Sequence, residues 1–176
     1  LHDTVEVARN LLGKKIVRRI GRKEISGTIT ETEAYRHTDD PASHACNKMT
    51  ERNKAMFEEV GRAYVYFTYG MHYCFNVVAR DPGFGAGAVL IRAIEPEKGI
   101  EIMQENRKTN GAKNLTNGPA KLTQALQITK KHYGVDLTKK GELFIAEGTM
   151  PKKIVANPRI GIIKATENMW NFRMAA

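Results

Sequence analysis

Val5, Ala8, Leu11 and Leu12 recur at the spacing of one helical face. Asp3 and Glu6 stand where a capping box would close the N-terminus of that helix, and Gly13 suits its end. The pattern then changes to strand-like runs at residues 15–20 and 25–35, separated by Gly21, Arg22, Lys23 and Glu24 as a hairpin. In the second run, alternation of period two puts Ile25, Gly27, Ile29, Glu31, Glu33 and Tyr35 on one side, so a buried face is expected to turn acidic just before it ends. Residues 36–62 lose periodicity and read as a long polar loop with room for one short helix; such loops in compact domains often carry function.

The next stretch, AYVYFTYGMHYCFNVVA, is two aromatic and β-branched runs joined around Tyr69, Gly70 and Met71, the clearest hairpin signal in the chain. A glycine-rich turn, RDPGFGAG, leads to a strand at 88–94. Helices are expected at 97–107 and at 119–128, where Pro119 suits the first helical position and Leu122, Ala125 and Leu126 share a face. Late strands are expected at 143–146 and 159–163. This mixture predicts an α+β fold: one compact domain over residues 1–176, with a curved, largely antiparallel sheet, a protruding β-hairpin and surrounding helices.

Composition narrows the class. The chain has 176 residues, enough for one domain with a sizeable core, and its 41% hydrophobic and 27% charged residues argue against disorder. No apolar run approaches the roughly 18 residues of a membrane helix, and no signal-peptide pattern is visible. Cys46 and Cys74 lie 28 positions apart without C-x-x-C spacing, which argues against a zinc ribbon or a disulfide scaffold and fits a reducing compartment. Lys and Arg outnumber Asp and Glu by 28 to 19, a formal charge of +9 that favours a polyanionic partner. Residues 106–135 contain no acid, while Arg107, Lys108, Lys113, Lys121, Lys130 and Lys131 supply six positive charges; a solvated basic face would explain them as well as a nucleic-acid surface. The five histidines lack metal-site spacing and no deaminase pattern exists, so neither a metal nor a cofactor is expected.

Candidate chemistry gathers around Glu31 and Glu33. Cα atoms two apart on a strand are about 6.5–7 Å apart. The two carboxylates therefore fit a pair flanking a glycosidic bond, an exposed strand end, or a single general base at Glu33 acting on water. Tyr35, Tyr64, Tyr66, Phe67, Tyr69, Tyr73 and Phe75 are dense for a chain with 7% aromatic residues. Most such rings pack a core, yet Tyr69 sits at a hairpin tip, where it is free to stack on or wedge between bases. Asn76 and Arg92 are polar groups inside apolar strands and need partners, for Arg92 either Glu33 or a bound anion. GFGAG lacks the lysine and following helix of a phosphate loop and reads as a turn.

The segments VARNLLGK, ETEAY, Arg52–Asn53 with MF after them, YVYFTYGMHYCFN, VLIRAIEP, NGPAKLTQAL and PRIGI together resemble the alkyladenine (3-methyladenine) DNA glycosylase family over nearly the whole chain. The turn RDPGFGAG is longer than in vertebrate members and the loop after His44 slightly shorter. The resemblance implies Glu33 as general base, with Arg92 and the Ile162 carbonyl helping to hold the water. It implies Tyr35 and His44 on either side of an extruded base, Tyr66 closing the pocket, main-chain groups at Ala42 and His44 on the base edge, and Asn76 excluding normal guanine. Tyr69, with Met71 beside it, becomes the wedge in the duplex, and Arg52, Lys113 and Lys121 backbone contacts. The implied activity is hydrolytic removal of alkylated or deaminated purines from double-stranded DNA by a monomer that leaves an abasic site without cutting the strand. It implies a nucleoid or cytoplasmic place in a bacterium and a nuclear one in a eukaryote. Two other classes fit the residues alone: a non-catalytic module that recognises distorted duplex through Tyr69 and the lysines, and a sugar-processing hydrolase using both acids.

Overall fold

A computed structural model describes residues 2–175. Helix α1 (Thr4–Asn10) begins at Asp3, whose carboxylate accepts from the Val5 and Glu6 amides at 2.9 and 3.2 Å. It ends before Gly13, where φ is +83° and an added Cβ would meet the Thr149 carbonyl oxygen at 2.1 Å. The strands are β1 (Lys15–Ile20), β2 (Lys23–Tyr35), β3 (Ala63–Thr68), β4 (His72–Val78), β5 (Ala88–Lys98), β6 (Leu143–Ala146), β7 (Ile154–Asn157) and β8 (Asn171–Met174). They join in the order β3-β4-β5-β2-β1-β6, with β8 beside β2 and β7 beside β8, and the pairs between these strands are antiparallel.

The thirteen-residue β2 organises the sheet. On one edge it pairs with β5 along most of its length; on the other, its first half pairs with β1 and residues 31–33 pair with β8. Strict alternation fails in its middle. Ile29 pairs with Ile94, but Glu31 pairs with Ala93 and Thr32 with Ile91, so Thr30 is an extra residue in β2 and Arg92 an extra one in β5. The bulge corrects the expected partition of faces. Thr32, not Glu31, points at α1 and donates its hydroxyl to the Ala8 carbonyl at 2.7 Å, and Ala34 joins Ile25 and Ile29 in the core. Glu31 and Glu33 are thereby sent to the opposite side.

The two faces bury different things. One carries the main core, where Ala8, Leu11 and Leu12 of the first helical segment meet Ile16, Ile25, Ile29, Phe75, Val89 and Ile91, joined by Met103 of α2 (Ile100–Arg107) and Leu122 of α3 (Pro119–Ala125). Each fully buried Leu, Ile or Met side chain contributes roughly 1.5–3 kcal/mol. The other face carries a smaller cluster in which Ala45, Ala55 and Met56 of the long loop after β2 and its 3-10 turn (Lys54–Phe57) meet Tyr64, Val78, Ala86 and Ala88. Tyr35 and Tyr66 pack against this second cluster, which places the loop over the sheet where the acids emerge.

Several expected boundaries shift. Residues 97 and 98 belong to β5, because Lys98 pairs with Ser26, and α2 starts only after Gly99 at φ +71°. Helix α3 stops at Ala125 rather than at 128, since Gln127 turns to φ +49° and the Ile128 amide returns to the Thr123 carbonyl at 2.8 Å. The strand expected at 159–163 is irregular chain, while β7 and β8 fall on either side of it. No helix among the described residues is long and apolar enough to cross a membrane.

Candidate active site

Where β2 runs out beneath the long loop, a cavity of about 270 Å³ opens beside the sheet. Its wall includes Tyr35 from β2, Ala42 and His44 from the loop, Tyr66 from β3, Asn76 from β4, Arg92 from β5 and Ile162 from the segment between β7 and β8. These are all the residues proposed from sequence for a base pocket, and every catalytic candidate except Glu33. Tyr69 stands at the rim, and Pro119 at the start of α3 closes another side.

Glu33 is fully buried and lies behind this wall. Four donors meet its carboxylate. Oε1 accepts from the Ile160 amide at 2.8 Å and from Asn171 Nδ2 at 3.0 Å. Oε2 accepts from the Tyr35 hydroxyl at 2.9 Å and, at a long 3.4 Å, from Arg92 Nη1. Three of the four donor residues, Ile160, Tyr35 and Arg92, also line the cavity, so the acid communicates with it through its own hydrogen-bond partners.

Arg92 has the carboxylate partner that an apolar strand demands, but chiefly in Glu31, whose Oε1 is 3.0 Å from its Nε. Glu31 and Glu33 do not face each other across open space. Both accept from the same Asn171 amide and the same guanidinium, and these shared groups fill the space between them, which counts against a carboxylate pair flanking a sugar.

The aromatic side is tightly connected. His44 meets Tyr66 edge-on with ring centroids 4.8 Å apart, and its Nδ1 is 3.2 Å from the Tyr64 hydroxyl. Loss of hydration against these rings, and then the charge of Arg52, lower the imidazole below its usual value and favour the neutral ring. Burial raises the hydroxyls of Tyr35, Tyr64 and Tyr66 further above the ordinary tyrosine value, so all three stay neutral, and Tyr35 donates to Glu33. Asn76, buried among apolar neighbours, donates to the Tyr64 carbonyl at 3.0 Å, which fixes its amide at the cavity wall. The Ala42 amide is held at 3.3 Å from Asp40 Oδ1, and the His44 carbonyl accepts from Asn53 Nδ2 at 2.7 Å.

At the hairpin tip Tyr69 is 86% and Met71 68% exposed, and Tyr69 takes φ +51° beside Gly70 at +66°. Arg52 reaches the hairpin, donating to the Phe67 carbonyl at 3.3 Å with its guanidinium 5.2 Å from the Tyr66 ring centre. Lys121, two residues past Pro119, donates to Asn117 Oδ1 at 2.9 Å. Lys113 is exposed on the segment between α2 and α3 and is not part of the cavity.

Sequence reasoning missed Asn171, which is fully buried, and the ion pair of Arg159 with Asp40. Arg159 donates to both Asp40 oxygens at 2.6 and 2.7 Å and to the Ala34 carbonyl at 2.9 Å, with its guanidinium 4.7 Å from the Tyr35 ring centre and 5.0 Å from that of Trp170. It fixes the back of Tyr35 and places the next amide, Ile160, on Glu33. The available signals were an arginine after Asn157–Pro158 and an amide inside the short run WNFRM.

A fully buried acid, an aromatic-lined cavity beside it and an exposed aromatic hairpin tip thus meet where β2 ends. Comparison with known proteins specifies the class. Residues 1–176 match the family described as Methylpurine-DNA glycosylase (MPG). A protein of Francisella tularensis subsp. tularensis named "Putative 3-methyladenine DNA glycosylase" is 46% identical over 173 residues, 96% of this chain and 89% of its own length. Proteins with the same name from Prosthecochloris aestuarii and Carboxydothermus hydrogenoformans are 48% identical over 171 residues and 50% over 162, covering 95% and 91% of this chain and 81% and 84% of theirs. The chain belongs to the methylpurine-DNA glycosylase family and is a DNA glycosylase, a hydrolase of DNA repair.

Proposed function

We propose that the chain excises alkylated or deaminated purines from duplex DNA by hydrolysing the N-glycosidic bond with a water activated by Glu33, leaving an abasic site in an uncut strand. The observation that carries this reading is the fully buried Glu33, held by four donors directly behind an aromatic cavity.

Extruding a nucleotide costs a few kcal/mol, least for a damaged pair, so selection starts before any bond breaks. Tyr69 fills the vacated stack while Tyr35, His44 and Tyr66 receive the base, and their faces attract an N-alkylated purine that carries positive charge. A neutral His44 suits such a guest, because a protonated ring would repel it. Asn76 discriminates at the base edge. Glu33 takes a proton from water as the bond to deoxyribose breaks, and its negative charge favours the oxocarbenium-like sugar that develops. Arg92 and the Ile162 carbonyl orient that water. No lysine is among the described residues lining the cavity, so no side-chain amine there stands ready to form a Schiff base and cut the strand.

Methylated duplex DNA tests the reading. Incubation should release free methylpurine and leave a full-length strand that breaks only on later alkali treatment. Failure to release purine, or strands nicked in step with release, would contradict it.

A further inference from the structure

Glu31 and Glu33 share two donors, and in both cases the shorter bond goes to Glu31. Asn171 Nδ2 lies 2.7 Å from Glu31 Oε1 and 3.0 Å from Glu33 Oε1. Arg92 gives its Nε to Glu31 at 3.0 Å and only a long 3.4 Å contact from Nη1 to Glu33. Arg173 adds a third bond to the same Glu31 oxygen at 3.0 Å. The arrangement follows from register: opposite β8, Glu33 faces Asn171 and Glu31 faces Arg173, while the bulge puts Arg92 out of step in β5 and within reach of both acids.

We propose that Glu31 is a positioning residue that holds the Arg92 guanidinium toward itself, so that only a long contact reaches Glu33 Oε2 and room is left there for the water whose proton Glu33 takes. The proposal rests on the reading of Glu33 as the general base. Its physical content is placement: a guanidinium bonded closely to Glu33 would occupy Oε2, whereas one anchored through Nε on a second carboxylate leaves Nη1 at the long contact. The other charged or titratable groups around Glu33 are Tyr35 on its own strand, Arg173 on β8, Cys74 on β4, and Arg159, which is neutralised by Asp40.

Single-turnover excision of methylated duplex, followed across pH, tests this. Glu31→Gln releases the hold on Arg92, which is then free to bond Glu33 closely, so the acidic limb of its rate profile should move down. Its plateau rate should fall severalfold while duplex affinity is unchanged. Glu31→Asp keeps the charge and should keep the limb near its original place. Arg173 is outside the cavity and half exposed, so Arg173→Gln should fold normally. It leaves Glu31 more negative and should move the limb up. A purely structural Glu31 would lower the rate equally at every pH. An unmoved limb in Glu31→Gln, or an Arg173→Gln limb that stays or moves down, overturns the proposal, and the second result decides alone if Glu31→Gln does not fold. Failure of the base reading is distinguishable, since Glu33→Gln would then excise normally.

Discussion

Glu33, Asn171, Asp40 and Arg159 are all buried polar groups, and each is matched to a partner brought from far along the chain: Asn171 donates to Glu33, and Arg159 to Asp40. A pair such as Arg159–Asp40 is costly to break from one side, about 3–5 kcal/mol, because the remaining charge is stranded. His132 shows how such burial becomes pH dependence. Burial, then the charge of Arg18, lower its imidazole from 6.5, and its Nδ1 accepts the Thr129 amide at 3.0 Å. A ring kept neutral in the fold binds fewer protons than the unfolded chain. The stability it contributes is therefore full above about 6.5 and lost as pH falls through the lower folded value. Thermal melts should show a lower midpoint at acidic pH than at neutral pH, and His132→Asn should narrow that difference; an unchanged difference would count against the assignment. At this scale, Arg92 and Asn76 were legible because each is polar among apolar neighbours within its own strand, and Glu33 as an acid near a strand end, its role as base coming from the resemblance. Asn171 and Arg159 were not, since their need for burial is set by partners more than a hundred residues away.

The elements that could be read in advance are those whose signal is local. β1 and the β3–β4 hairpin are marked by their own β-branched and aromatic runs, and their limits hold closely. β8 is four residues long and exists because it completes the free edge of β2 at residues 31–33; its own sequence carries little periodicity. The expectation that Glu31 and Glu33 continue the Ile25–Ile29 face failed for a related reason. A bulge belongs to a pair of strands, and one strand's pattern does not announce it. The hairpin tip is where the proposal gives an element a function of its own. Tyr69 is held out in a left-handed turn, committed to neither core. Tyr69→Ala should slow excision in a fully paired duplex much more than at a mismatch or in a single strand, as measured by single-turnover rates on the three contexts. Equal losses in all three would remove the wedge assignment.

For the whole molecule, the formal charge of +9 becomes meaningful once the cavity is located. Arg52 stands by the hairpin, and Lys121 is two residues past Pro119, which lines the same cavity as Tyr69; in the proposed reading both meet phosphates of the duplex that Tyr69 enters. Duplex affinity should therefore fall steeply with salt, with a slope near −0.9 for each phosphate neutralised. Lys121→Gln or Arg52→Gln should each reduce that slope by about one, read from binding titrations at several ionic strengths. A slope unchanged by either substitution would place the duplex elsewhere. Charge, aromatic tip and cavity would serve any duplex reader; in the proposed mechanism it is Glu33 that makes the molecule a hydrolase. The most direct measurement is thus single-turnover excision by Glu33→Gln on a duplex carrying one methylated purine, with affinity for that duplex measured alongside. The protein should bind about as tightly as the original and release purine at least roughly a hundredfold more slowly. A folded, DNA-binding Glu33→Gln protein that releases the purine at close to the original rate would contradict the mechanism.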